Sequence, residues 1–368
     1  MAAYAFAPSS TAGPSGPASA PNPHDVRGPL GPDVVEGVTL THAVMVTASG
    51  SRLRLRLSNA YGAEPITLGA VTVRVGDTTR EVRFNGEPSS VMPAGAPLVS
   101  DPVDLPVKAL EQVKVSITLP HATRLPTHRW RQTLRGAEGG ESGPMRLGAL
   151  LAGIEVEGGA PPGVIVAFGD SITEGTGALP DGPGGWPERL AARLVETGRP
   201  WAVINAGIGG NRLLHQGSGP SGLERLDTDA LAPSGARCLI LLEGVNDIGR
   251  PSRPQYAHQA VSASDLIAGY RQVIRRAHAA GLKAVLATVP PFEGANYFTP
   301  EGEAIRQTVN AWLRTQTEAD GVVDFDAALR DPVAPSRLQA AFHSGDWLHP
   351  SDAGYQAMAE AIPLDACD

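Results

Sequence analysis

The chain has only two cysteines in 368 residues, Cys238 and Cys367. Two thiols build no disulfide framework, and neither stands with histidines at zinc-ligand spacing. Cys238 lies in an apolar run and reads as a small buried hydrophobe. Long apolar stretches are missing too. None approaches the roughly 18 residues that suggest a membrane span. Positive charge is scarce: 30 Lys and Arg stand against 38 Asp and Glu, a net charge of -8. That balance argues against a general binder of nucleic acid or other polyanions. The first 26 residues contain no Lys or Arg and no continuous apolar segment. They do not have the build of a secretory signal, so the expected location is cytoplasmic.

What is present suits a globular protein: 42% of the residues are hydrophobic. The length is large for a single core, which predicts two domains. Residues 1–33 are rich in Ala, Pro, Ser and Gly and read as a flexible or wrapping segment. From about Val34 to Leu119 the pattern is strand and turn. Arg52-Leu53-Arg54-Leu55-Arg56-Leu57 alternates without a break, giving one apolar and one basic face. The basic face reads as a solvated sheet surface, with a ligand-reading surface as the alternative. Ile66 to Val75 and Val113 to Leu119 alternate similarly. The absence of helical period predicts an antiparallel sandwich over 34–150. Residues 120–162 read as an irregular Gly- and Pro-rich connection carrying His121, His128, Trp130 and several arginines.

Past Gly163 the pattern changes to alternating strand and helix. Val164 to Phe168 reads as a buried parallel strand, and helical spacing follows at Trp186 to Thr197. Further strands are expected at 201–204, 239–242, 283–289 and 321–324. Further helices are expected at 265–280, 301–319 and 351–362, the last with Ser351 as N-cap. Such alternation predicts a parallel sheet covered by helices on both faces, over 151–368.

Ligands of open parallel sheets bind at the carboxyl ends of the strands. Gly169-Asp170-Ser171 ends the first strand of this region and would lift a serine to that edge. Asp346-Trp347-Leu348-His349 places an acid and a base three residues apart before the last helix. Acyl transfer needs such a set: a nucleophile, a base to take its proton, and an acid to orient the base. It also needs donors for an oxyanion. The glycines of Asn205-Ala206-Gly207-Ile208-Gly209-Gly210-Asn211 allow close approach of a backbone N–H. The amide of Asn246, in Gly244-Val245-Asn246-Asp247, supplies a side-chain donor. Each piece alone is an ordinary turn; their joint order at strand ends is specific. Thr173 stands where a Gly-x-Ser-x-Gly elbow would have its second glycine, which argues against a standard α/β-hydrolase.

The order Gly169-Asp170-Ser171, Gly210, Gly244-x-Asn246-Asp247 and Asp346-x-x-His349 resembles the SGNH/GDSL hydrolase family over about residues 163 to 362. The resemblance implies a flavodoxin-like three-layer α/β/α fold. It implies Ser171 as nucleophile, His349 as general base and Asp346 as its orienting carboxylate. The oxyanion hole would be the N–H groups of Ser171 and Gly210 and the side chain of Asn246. Asp247 reads as support for the Asn246 loop; Asp170 and Glu174 read as turn and cap residues. His343, His215, His258 and His278 read as structural or exposed. The chain is also similar to a two-domain subgroup in which a jelly-roll-like β-sandwich precedes the SGNH domain. Within it the similarity extends to a salicylyl acyltransferase of tetracycline biosynthesis.

The expected function is serine-dependent acyl transfer, by an esterase or an O-acyltransferase. The expected partners are a small-molecule ester, a thioester or a hydroxyl acceptor, with no nucleic acid and no membrane. No metal and no cofactor is expected, and an acyl-CoA would serve as acyl donor rather than cofactor. A carbohydrate acetylesterase or short-chain esterase is the alternative. A glycan-binding protein with an inactive hydrolase domain is the alternative of another class.

Overall fold

The computed structural model describes residues 1–5, 32–125, 129–136, 141–159, 163–179, 182–199 and 201–368. Most of the expected N-terminal segment lies outside them, as does His128, and the side chains of 129–134 are not described. Two compact units are present, the first running to Pro162 and the second continuing from Gly163.

The first unit is an antiparallel sandwich. One sheet has the strand order Ala2–Ala5, Leu151–Glu157, Arg52–Ser58, Pro97–Val99. The other has the order Glu141–Gly148, Arg129–Arg135, Val38–Met45, Gln112–Leu119, Val71–Val75, Thr78–Val82. Period-two alternation sets the core: Leu53, Leu55 and Leu57 are fully buried, as are Val113, Val115 and Ile117 on the other sheet. The arginines between those leucines face carboxylates on the neighbouring strand. Arg52 lies 2.7 Å and Arg54 3.0 Å from Glu157, and Arg56 lies 3.2 Å from Glu155. Opposite charges across a strand pair stabilise a solvated face, so the basic stripe has its partners inside the sheet.

Two expectations need correction. The sandwich does not end at 150, because Leu151–Glu157 pairs with both Arg52–Ser58 and Ala2–Ala5. The stretch 120–162 is likewise not an irregular connection: Arg129–Arg135 and Glu141–Gly148 pair with each other, and the former also pairs with Val38–Met45. The Gly and Pro content obscured these strands, and Arg129–Arg135 takes its place by pairing with Val38–Met45, about 90 residues upstream.

In the second unit the strands are β1 (Val164–Gly169), β2 (Ala202–Gly207), β3 (Ala236–Leu242), β4 (Lys283–Ala287) and β5 (Gly321–Val323). They form one parallel sheet in the order 2-1-3-4-5, the flavodoxin-like arrangement. All six residues of β1 are buried, so both faces of this interior strand are covered. The helices are α1 (Ser171–Glu174), α2 (Trp186–Glu196), α3 (Gly222–Leu226), α4 (Val245–Gly249), α5 (Ala263–Ala279), α6 (Pro300–Thr315), α7 (Phe325–Leu329) and α8 (Asp352–Ala361). Local chemistry sets several boundaries. The Ser262 hydroxyl and the Asp265 carboxylate form a capping box at α5, and Ser351 caps α8 as its position predicts. The short α3 and α7 have too few turns for a periodic signal. No helix of the described residues is long and apolar enough to cross a membrane.

The reading of Cys238 as a lone hydrophobe is also corrected. Cys238, on β3, is bonded to Cys367, with Cα atoms 5.7 Å apart and a sequence separation of 129. The crosslink fixes the C-terminal tail to the middle of the sheet. Cys367→Ser is expected to lower unfolding free energy by about 2–4 kcal/mol, because a long loop then regains its freedom in the unfolded chain. Denaturant melts with and without dithiothreitol measure this, and wild type under reductant should match the variant.

Candidate active site

Ser171 stands two residues past the last residue of β1 and opens α1, 6% exposed at the carboxyl edge of the sheet. Asp170 is the N-cap, its carboxylate accepting the Ile172 N–H at 2.9 Å. Gly169 has no room for a side chain, since a Cβ there would collide with the Thr173 hydroxyl and the Leu242 carbonyl. The sharp turn that presents Ser171 therefore depends on close packing of β1 against α1 and β3.

The imidazole that faces Ser171 comes from the far end of the chain. Nε2 of His349 is 2.8 Å from Ser171 Oγ, and its Nδ1 is 2.6 Å from Asp346 Oδ2. The second Asp346 oxygen accepts the backbone N–H groups of Leu348 and His349, at 3.0 and 2.9 Å. Burial pushes the Asp346 carboxyl upward. The hydrogen bond and charge of His349, with those two N–H groups, outweigh it and hold the pKa at about 2. Asp346 is thus an ionised acceptor at neutral pH, which fixes the proton of His349 on Nδ1 and leaves Nε2 facing Ser171.

Gly210 has a positive φ of 76°, open to glycine without strain. Among the described residues, neither the Ser171 N–H nor the Gly210 N–H donates to a protein acceptor. The Asn246 amide is held on two sides. Its Nδ2 donates to the Asn211 carbonyl at 3.0 Å, and its Oδ1 accepts from the Tyr297 hydroxyl at 3.3 Å. One Nδ2 hydrogen remains for a ligand. Asp247 supports the neighbouring loop rather than its own: it accepts the N–H groups of Leu213 and Leu214 at 2.7 and 3.0 Å. It thereby ties the Gly210 loop to α4. Burial pushes its pKa up to about 6, the two N–H bonds working against that rise. If the free Nδ2 hydrogen serves an oxyanion, Asn246→Ala should lower kcat about 10²–10³-fold with KM little changed. Steady-state kinetics on an activated ester measure the split.

His343 takes the structural role expected of it. Its ring stacks on Trp347 at 3.9 Å and its Nδ1 accepts the Gly345 N–H at 3.0 Å. Trp347 itself has a φ of 59°, uncommon for a bulky residue, and sits between Asp346 and His349. The stack holds that conformation in place. His278 forms an exposed pair with Asp320, away from these residues in the chain. Tyr297 and the His343–Trp347 stack carried no motif and were not legible in the sequence. No group of side chains suited to a metal ion occurs among the described residues.

Comparison with known proteins follows from this geometry. A family model described as "GDSL-like Lipase/Acylhydrolase family" matches residues 167–357, more than half of the chain. No curated protein matches. Among solved structures the chain is similar to an acetylxylan esterase from Geobacillus stearothermophilus at 23% identity and a TM-score of 0.42, over 55% of this chain and 93% of that one. It is also similar to a GDSL-like lipase from Bacteroides thetaiotaomicron at 20% identity and a TM-score of 0.40, over 56% and 88%. With the family model spanning every one of the blocks from the nucleophile turn to the final helix, the chain belongs to the GDSL-like lipase/acylhydrolase family and is an SGNH-type ester hydrolase.

Proposed function

We propose that the chain moves an acyl group from a small-molecule ester or thioester through an acyl-Ser171 intermediate. The observation that carries this is the continuous relay Asp346–His349–Ser171, at 2.6 and 2.8 Å, beside two unused N–H groups. Ser171 Oγ attacks the carbonyl carbon while His349 Nε2 takes its proton. The carbonyl oxygen becomes an oxyanion held by Ser171 N–H, Gly210 N–H and Asn246 Nδ2. Collapse breaks the bond to the leaving alcohol or thiol, which receives the proton from His349. A water or a second hydroxyl then attacks the acyl-serine, again losing its proton to His349, and Ser171 is restored.

The same residues serve hydrolysis and transfer to a hydroxyl; exclusion of water and binding of an acceptor separate them. A salicylyl-type acyl-CoA with a polyketide hydroxyl as acceptor is one reading, resting on the sequence resemblance. Short-chain or carbohydrate acetyl esters are the other. A glycan-binding protein with an inactive site is disfavoured by the intact relay. The disulfide favours an oxidising compartment over the cytoplasm expected from the first 26 residues.

Incubation with p-nitrophenyl acetate and with a p-nitrophenyl phosphonate tests the chemistry. A burst of nitrophenol and a phosphonyl adduct on Ser171, located by mass spectrometry, are expected. An adduct elsewhere, or turnover with no adduct, overturns the assignment. Product analysis with acyl-CoA and added alcohols then gives the partition between water and hydroxyl acceptors.

A further inference from the structure

We propose that Arg225 is a positioning residue of the oxyanion hole, its guanidinium tying together the three chain segments that carry Ser171, Gly210 and Asn246. Arg225 sits on α3, which the reaction does not touch, and its side chain is 1% exposed. Its Nη2 donates to the Gly169 carbonyl at 2.8 Å, two residues before Ser171. Its Nη1 donates to the Ala206 carbonyl at 2.8 Å, on the strand that leads to Gly210. Its Nε donates to Asn211 Oδ1 at 2.8 Å, and the carbonyl of Asn211 is the acceptor that orients the Asn246 amide. Nη2 also lies 3.6 Å from Glu243, at the end of β3 and three residues before Asn246.

One planar group therefore hydrogen-bonds the segments of Ser171 and Gly210, and it lies 3.6 Å from Glu243 on the segment of Asn246. The arrangement suits a guanidinium, whose rigid fork aims several donors in one plane. The group also stacks 3.9 Å from the Phe168 ring on β1, which fixes the plane itself. Its surroundings are strongly acidic. Asp170, Glu243 and Asp247 are all buried, and Asp229 lies 3.3 Å from Nη1. Neither carboxyl oxygen of Glu243 has a hydrogen-bond partner among the described residues. Burial pushes Glu243 well above the usual carboxylate range, and the charges of Asp170 and Asp247 add to that while Arg225 opposes it. A buried acid without hydrogen bonds persists where a cation compensates it. Asp229, whose carboxylate accepts from Nη1 at 3.3 Å, is the hydrogen-bonded acid of Arg225, with Glu243 3.6 Å from Nη2.

The inference rests on Ser171, Gly210 and Asn246 acting as proposed, and the test separates the two. Wild type is first treated with the p-nitrophenyl phosphonate. Absence of an adduct on Ser171 overturns the active-site reading and the role of Arg225 with it. Given the adduct, Arg225→Lys keeps the charge but not the fork. At a temperature well below its own Tm it should show kcat lowered about 10²-fold, KM within about threefold, and phosphonylation slowed in parallel with kcat. A purely structural role predicts a lower Tm with kcat near wild type, and that result overturns the inference. Should Arg225→Lys fail to fold, Asn211→Ala decides. It removes the Nε contact, together with the Nδ2 bond to the Pro220 carbonyl, and leaves the carbonyl that holds Asn246. A loss of about tenfold in kcat at constant KM is expected, on the scale of one hydrogen bond to a charged group. An unchanged kcat in Asn211→Ala overturns the proposal.

Discussion

Ser171→Ala is expected to lower kcat for an activated ester by about 10³-fold or more, with the fold and the melting temperature nearly unchanged. In the proposed mechanism the hydroxyl oxygen forms and breaks the acyl bond, so no neighbour replaces it. The nearest side-chain partner of Ser171 Oγ is His349 Nε2 at 2.8 Å, and the small cavity left by removing one oxygen costs little stability. On the proposed reading residual turnover should persist above the uncatalysed rate, with the backbone N–H groups at 171 and 210 and Asn246 holding the oxyanion of a water attack. His349→Ala should fall by a similar amount, and the double variant should be hardly worse than either single one, since nucleophile and base act as a unit. Activity of Ser171→Ala within tenfold of wild type would remove Ser171 from the mechanism. Burst kinetics add a second measure: the pre-steady-state release of nitrophenol should vanish with the hydroxyl.

For Asp346→Asn the expected loss in kcat is of order 10³–10⁴-fold, although the side chain barely changes shape. The carboxylate now accepts the His349 Nδ1–H at 2.6 Å and so leaves Nε2 unprotonated toward Ser171. An amide that keeps Oδ1 on the Leu348 and His349 N–H groups presents its NH₂ to Nδ1 instead. The imidazole then moves its proton to Nε2, where it cannot take one from Ser171. Stability should respond to pH as well. The pKa of Asp346 is about 2, below the ordinary 3.8, so the folded form binds its proton less readily than the unfolded chain. This contribution is fully present above about pH 4 and is lost as the pH falls through about 2. The stability difference between wild type and Asp346→Asn should therefore shrink over that window. Urea melts at pH 2, 4 and 7 measure it. A difference that stays constant down to pH 2 would mean that Asp346 is not held by His349.

Much of the second unit follows from the sequence alone. The apolar run at Val164 to Phe168, the helical spacing after Trp186 and the Ser351 cap are local signals, written within one strand or one turn. Ser171, Gly210, Asn246, Asp346 and His349 were legible because each stands in a short motif beside a recognisable element. The sandwich was legible in its alternation at Arg52 to Leu57. Its last strand, Leu151–Glu157, was not, because its place is set by pairing with residues about 100 positions earlier.

Tertiary structure decided everything that depends on such distances. It brought His349 within 2.8 Å of Ser171 across 178 residues and Cys367 onto Cys238 across 129. It placed Tyr297 on the Asn246 amide and Arg225 on carbonyls of two strands, positions no motif marks. The reason is physical. Chemistry that acts within one turn leaves a pattern in neighbouring residues, whereas a hydrogen bond that fixes a loop needs only a donor of the right length from anywhere in the chain.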